Sequence, residues 1–228
     1  MIHYHGTTIG PRKFLFGMSG RNFCVAYKTP GASDLNTCLS IGSSVMLDNG
    51  AFSCFTRKLP FDKDGFYRWI EPHLGHPHWA VIPDVIGGSV DEQRKMVKTW
   101  PFRKSLGFPV WHLSLPISYL IELCENWERV CFGSSEEYWN VGSDKWCHRM
   151  DEAFNALVKT FGSQLPWVHG LRMLSFGNGP WPLASADSTN VGRNFKDGNY
   201  CADCMAMKID SQNPSTRWTE KHIQGSLL

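Results

Sequence analysis

Short apolar runs alternate with amphipathic stretches along most of this 228-residue chain, and that alternation restricts the fold more than any other feature. The runs are "NFCVAYKT" (22–29), "SSVMLDNG" (43–50), "HWAVIPDV" (78–85), "FPVWHLSL" (108–115), "RVCFGSS" (129–135), "VHGLRML" (168–174) and "PLASADST" (182–189). Between them, "DGFYRWIEPHL" opens on an Asp cap at Asp64. "SVDEQRKMVKTW" carries the Ser-x-x-Glu of a capping box at Ser89 and Glu92. "ISYLIELCENW" and "DKWCHRMDEAFNALVKTFG" are further helices, the second stopped by Gly162. Strands that alternate with helices imply a parallel sheet. Six or seven such units, with no Gly-x-Gly-x-x-Gly after the first, favour a barrel over a dinucleotide-binding sheet. Ten Trp and fourteen Phe within a 42% hydrophobic composition supply an ample core. The expected fold class is therefore α/β, a compact and irregular TIM-like barrel. It forms one domain over 1–228, with 1–20 and 195–228 as peripheral segments.

A net charge of +2 sets up no global field for a polyanion. A nucleic acid would have to meet a local patch such as Arg57-Lys58 or Arg94-Lys95. The first residues, "MIHYHGTTIG", lack the basic-then-apolar order of a signal peptide. No stretch approaches the ~20 apolar residues of a membrane span. Eight scattered Cys read as reduced thiols in a cytoplasm.

Polar residues recur where the runs end. Asp48-Asn49-Gly50 closes the second, Asp84 the third and Asp187 the seventh, while His112 lies in the fourth, Gly133 and Ser134 end the fifth, and Met173 lies in the sixth. A parallel barrel gathers its C-terminal strand ends on one face, where catalytic groups assemble. Three carboxylates delivered there suit acid–base and nucleophilic chemistry. Each also has a plainer account. Asp48-Asn49-Gly50 suits a turn, Asp84 and Asp187-Ser188-Thr189 suit caps, and His112 suits a hydrogen-bonded core position. "HYHGT" (3–7) places two His on one strand face, in reach of a phosphate or metal, or simply at the edge of an ordinary strand.

"LDNGAFS" resembles the Asp-Ser-Gly-Gly-Tyr-Gln strand end of tRNA-guanine transglycosylases, and "ADSTNVGRN" resembles their Asp-Cys-Val-x-Pro-Thr-Arg-x-Gly-Arg-Asn segment. The likeness covers 43–194 and is nearest to the DpdA branch of bacteria and phages, which inserts 7-deazaguanines into DNA. It implies Asp187 as the nucleophile at C1′ and Asp48 as general acid/base. It further implies that Asp84 holds the guanine edge, with Asn49 and Gly50 beside it, and that Phe52 and Met173 sandwich the base. His112 stands where the family has a base-contacting Gln, and Gly133 and Ser134 where a Gly-rich strand end meets the base substituent. Arg193 and Asn194 would contact nucleic acid. Outside the likeness, Arg217 and Lys221 make the tail the best local basic patch for phosphates, or equally a solvated helix end. The implied partners are DNA and a 7-deazaguanine base such as preQ0, with no membrane.

The departures are specific. The family's zinc site uses three closely spaced Cys and a His. Here Cys201-x-x-Cys204 remains, with His222 later and Cys147 elsewhere, so no cofactor is required and zinc is an open option. Asn190-Val191 replaces the Thr-Arg of the nucleophile segment, and no tRNA-binding C-terminal domain is evident, which favours DNA, or a smaller substrate, over tRNA. Competing functions are a nucleoside hydrolase or deoxyribosyltransferase, a tRNA-guanine transglycosylase, and a non-catalytic nucleic-acid binder. The binder would use aromatics such as Trp100, Trp111, Trp139 and Trp181.

Overall fold

A computed structural model describes residues 1–8, 12–195 and 201–221. Nine parallel strands make one sheet: β1 (Ile2–Gly6), β2 (Asn22–Ala26), β3 (Ser44–Asp48), β4 (Trp79–Val81), β5 (Gly107–Phe108), β6 (Val110–His112), β7 (Arg129–Gly133), β8 (Trp167–Gly170) and β9 (Ser185–Ser188). Their order is β5-β4-β3-β2-β1-β9-β8-β7-β6. The two ends of that order are halves of one run separated by Pro109 alone. The ring has no N–H to donate there, which interrupts the ladder. Ile82 N donates to Phe108 O (2.9 Å) and Cys131 N to Pro109 O (2.8 Å) on either side of the break. The sheet therefore curls into a nearly closed barrel.

Helices cover its outside: α1 (Lys13–Phe16), α2 (Leu35–Ile41), α3 (Ala51–Thr56), α4 (Lys63–Ile70), α5 (Val90–Lys98), α6 (Ile117–Asn126), α7 (Asp144–Phe161), α8 (Asn190–Asn194) and α9 (Ala202–Asp210). The capping box on α5 forms with both arms, Ser89 N to Glu92 Oε2 (2.8 Å) and Glu92 N to Ser89 Oγ (3.4 Å). Gly162 ends α7. The cap of α4 is Asp62, which accepts from Gly65 N (2.9 Å), so the helix begins before the expected Asp64.

Strand period decides which side chains fill the interior. Tyr4, Met46, Trp79, Val81, Phe108, Val110 and Cys131 pack inside the barrel. Their sequence neighbours Val45, Leu47, Ala80, Trp111, Val130 and Phe132 pack outward under the helices. Trp79 stacks on Phe108 at 3.9 Å, and its Nε1 donates to Tyr4 Oη (2.8 Å). These bulky rings fill the barrel as a solid core and leave its C-terminal end for polar groups.

The N-terminal segment is not peripheral. β1 sits in the middle of the sheet between β2 and β9. Its period puts Tyr4 inside and turns His3 and His5 outward under α9, away from the barrel mouth. There His5 Nε2 lies 2.8 Å from Asp210 Oδ1, and Arg21 pairs with Asp203 (2.6 Å) and with Asp210. Cys201 and Cys204, at the start of α9, are joined by a disulfide with Cα atoms 5.3 Å apart, so these two depart from the expectation of reduced thiols. The other six Cys are free.

Tyr4→Phe leaves the buried Trp79 N–H without an acceptor, a cost of about 2 kcal/mol. The expected result is a fall in Tm of about 4–8 °C by differential scanning fluorimetry.

Candidate active site at the barrel mouth

The strand that ends on Asp48 turns at once into α3. Gly50 makes that turn with φ +74°, and a Cβ there would sit 2.6 Å from Tyr27 O, so glycine is required. Asn49 ties the turn to the neighbouring strand end. Its Nδ2 donates to Ile82 O (3.0 Å) and to Asp84 Oδ1 (2.8 Å), and its Oδ1 accepts from Ala51 N (2.7 Å). The segment is thus a turn and a site at the same time.

Asp48, Asp84 and Asp187 meet at the C-terminal end of the barrel. Asp48 is pushed up to about 7, first by burial, then by the charge of Asp187 and more weakly by that of Asp84. The interior thiol of Cys131 is raised by burial and by the same three carboxylates. One environment therefore holds all three acids.

Their partners differ. Asp84 Oδ2 lies 2.8 Å from His112 Nε2, and His112 Nδ1 lies 3.2 Å from Ser135 Oγ. Both ring nitrogens of His112 thus hold protein groups, and the ring fixes Asp84. Gly133 makes room for it: a Cβ there would meet His112 Nδ1 at 3.0 Å. Asp187 Oδ1 accepts from Arg172 N (2.9 Å) and lies 3.3 Å from His169 Nε2. His169 Nδ1 is held in turn by Ser185 Oγ (2.8 Å). Asp187 Oδ2 accepts no hydrogen bond among the described residues, which leaves one oxygen of the buried carboxylate uncommitted.

Arg172 is the cation of the mouth. Its guanidinium lies 4.0 Å from the Phe52 ring centre and 5.1 Å from that of Trp139, and it donates to Ser134 O. Phe52 and Trp139 stack with centroids 5.1 Å apart. Burial lowers the Arg172 pKa, while Asp187 and Asp48 oppose that shift. The residue sits at φ +62°, and that turn aims its backbone N–H at Asp187.

The structure brings Asp48, Asn49, Gly50, Phe52, Asp84, His112, Gly133, Ser134 and Asp187 to this end of the barrel. The Ser134 hydroxyl accepts from Trp146 Nε1 (2.9 Å), and its carbonyl holds Arg172. Met173 is not among them. Gly170 points outward from β8, and a Cβ there would touch Met173 Sδ at 2.9 Å, so Met173 belongs to the outer core with Trp146 and Leu174. Arg172, one position earlier, takes the place at the mouth. Arg172 and His169 were missed, although His169 carries the same signal as His112, a polar residue inside an apolar run.

The nucleic-acid candidates lie apart. Arg193 and Asn194 are exposed on α8, Asn194 bonded to Asn190 Oδ1 (2.6 Å). Arg217 is exposed on the tail, and Lys221 is paired with Asp151 of α7 (2.8 Å) over the Trp218 ring. Among the described residues the metal set does not assemble. Cys201 and Cys204 bond each other, Cys147 packs against the outer core, His222 lies outside the described residues, and no group of three potential ligands occurs among those described. No described helix is long and apolar enough to cross a membrane.

Compared with family models, with curated proteins and with solved structures, the chain matches none of them.

The raised Asp48 makes a signed prediction. Below pH 3.8 the group is protonated folded and unfolded alike. As pH rises from 3.8 to about 7, the unfolded chain releases a proton that the folded chain keeps, so stability falls until the penalty is complete above about 7. Asp48→Asn removes that penalty. Urea unfolding is expected to show little gain at pH 4 and a gain on the order of 3 kcal/mol at pH 8.

Proposed function

We propose that this protein exchanges guanine for a 7-deazaguanine in DNA through a covalent glycosyl-aspartate. One observation carries the reading: a carboxyl that keeps its proton near neutrality, Asp48, stands in the same buried mouth as Asp187, which has a free oxygen. Glycosyl transfer with retention needs this pair, a general acid beside a carboxylate nucleophile.

In the first half-reaction Asp187 Oδ2 attacks C1′. The C1′–N9 bond breaks, its electron pair leaves with guanine, and Asp48 supplies the proton that makes guanine a neutral leaving group. Asp48 is then a carboxylate. In the second half-reaction it takes the N9 proton of the incoming 7-deazaguanine, whose N9 bonds to C1′ as the aspartyl ester breaks. Both acids end as they began. Arg172 N–H and His169 keep the nucleophile oriented throughout, and the Arg172 charge offsets the cost of a second buried carboxylate when Asp48 ionises. Asp84, fixed by Asn49 and His112, offers its remaining lone pairs to the N–H edge of a guanine-like ring. A base reaching Phe52 replaces the Arg172 guanidinium as its stacking partner. A target within a duplex has to leave the stack, at a cost of a few kcal/mol.

DNA incubated with the protein and preQ0, then digested and analysed by mass, is expected to contain the deazaguanine in step with guanine released. Asp187→Asn should abolish both, and Asp48→Asn should slow them by about 10²–10⁴-fold. The first half-reaction should weaken as pH rises through about 7, where Asp48 loses its proton. Guanine released without added base would assign a hydrolase instead. Strand binding with no base released from any nucleoside would make the protein a binder.

A further inference from the structure

A groove of about 580 Å³ runs between α3 and α5 and opens at one end on Asp84 and Ala51, beside the mouth. Its walls are Phe55, Leu59, Phe61 and Met96, with Lys63 and Lys95 among the lining residues. Among the described residues the exposed large apolar side chains are Phe16, Phe55, Leu59, Trp139 and Met207. Two of these line the groove and a third, Trp139, stacks on Phe52 at the mouth, so exposed apolar surface is concentrated around the site and its extension.

The charges point the same way. Arg57 and Lys58 lie in the chain between the lining residues Phe55 and Leu59, and Lys95 lines the opposite side. Lys95 thus lines the groove directly, and Arg57 and Lys58 are exposed on the turn between two of its lining residues. Arg57, Lys58 and Lys95 form no ion pair with any described residue, whereas Arg94, next to Lys95, is held by Glu122 (2.5 Å) and Asp91 (3.0 Å). The acids of the groove are already engaged, Glu92 by the Ser89 cap and Asp84 by Asn49 and His112. An anion in the groove therefore meets the unpaired Lys95 in its lining, with the exposed Arg57 and Lys58 on the adjoining turn.

We propose that this groove is a subsite for the nucleotide next to the target base on a single DNA strand, a proposal that rests on the base-exchange reading. Its base lies against Phe55 and Phe61, and its phosphates meet Arg57, Lys58 and Lys95. The volume suits one unstacked nucleotide rather than a duplex. Continuity with Asp84 puts that nucleotide directly beside the one whose base enters the mouth. A strand held beside the flipped base stays registered while the base is exchanged.

The test is fluorescence anisotropy with a fluorescein-labelled, guanine-containing single-stranded oligodeoxynucleotide, using the full chain carrying Asp187→Asn so that only binding is read. Adding R57A, K58A and K95A together is expected to weaken binding at least tenfold and to reduce the slope of log K against log salt by about 2. Adding F55A instead should weaken binding by about 5–100-fold with the salt slope unchanged. All these positions are exposed or line the rim, and an unchanged Tm confirms that the variants fold. Parent-like binding by both groove variants, or loss confined to R217A/K221A, overturns the subsite. Exchange at unaltered KM in groove variants of the wild-type chain also overturns it and leaves base exchange standing. Groove-dependent binding without exchange overturns the base-exchange reading and leaves a single-strand site.

Discussion

Three carboxylates share one poorly solvated barrel mouth, and the rest of the site is arranged around that constraint. Parallel register puts them there, because strands that run the same way finish at the same end. Burying like charges together is costly unless a proton or a partner intervenes. Here each acid has its own solution: Asp84 rests on His112 and Asn49, Asp187 on the Arg172 N–H and His169, and Asp48 on a retained proton. The three differ in chemistry because they differ in neighbours.

The barrel supports this arrangement by being solid below it. Trp79, Phe108 and Tyr4 fill the interior, so water reaches the acids only from the mouth. Above, Phe52, Trp139 and the Arg172 guanidinium form a stacked lid. Phe52 has one face on Trp139 and a guanidinium 4.0 Å away, an arrangement of planar groups that a planar ligand can imitate. The mouth is thus suited to flat, polar-edged rings.

Much of this was legible in the sequence, for physical reasons that can be named. The barrel followed from alternation, and Asp48, Asp84, His112 and Asp187 followed from polar residues at the ends of apolar runs. β1 was legible as an N-terminal strand with polar edges but not as the centre of the sheet, because "IHYHG" lacks the apolar run of the other strands. Its outward His residues are matched by Asp210, over 200 residues away, a partnership that no local pattern reveals. The single run at 108–115 hid two short strands because Pro109 breaks a ladder without breaking the direction of the chain. Met173, which the family resemblance sets against the base, packs in the outer core instead, because the backbone after β8 reverses at the left-handed Arg172. His169 was overlooked although it carries the same signal as His112, a polar residue inside an apolar run.

The most direct measurement is a carbon-13 NMR titration of the Asp48 side-chain carboxyl. The account predicts a midpoint near 7 in the native protein. It also predicts a clear downward shift when Asp187 is replaced by Asn, since that neighbour's charge is part of what holds the proton. A midpoint near 4 in the native chain, or one indifferent to Asp187, would contradict it.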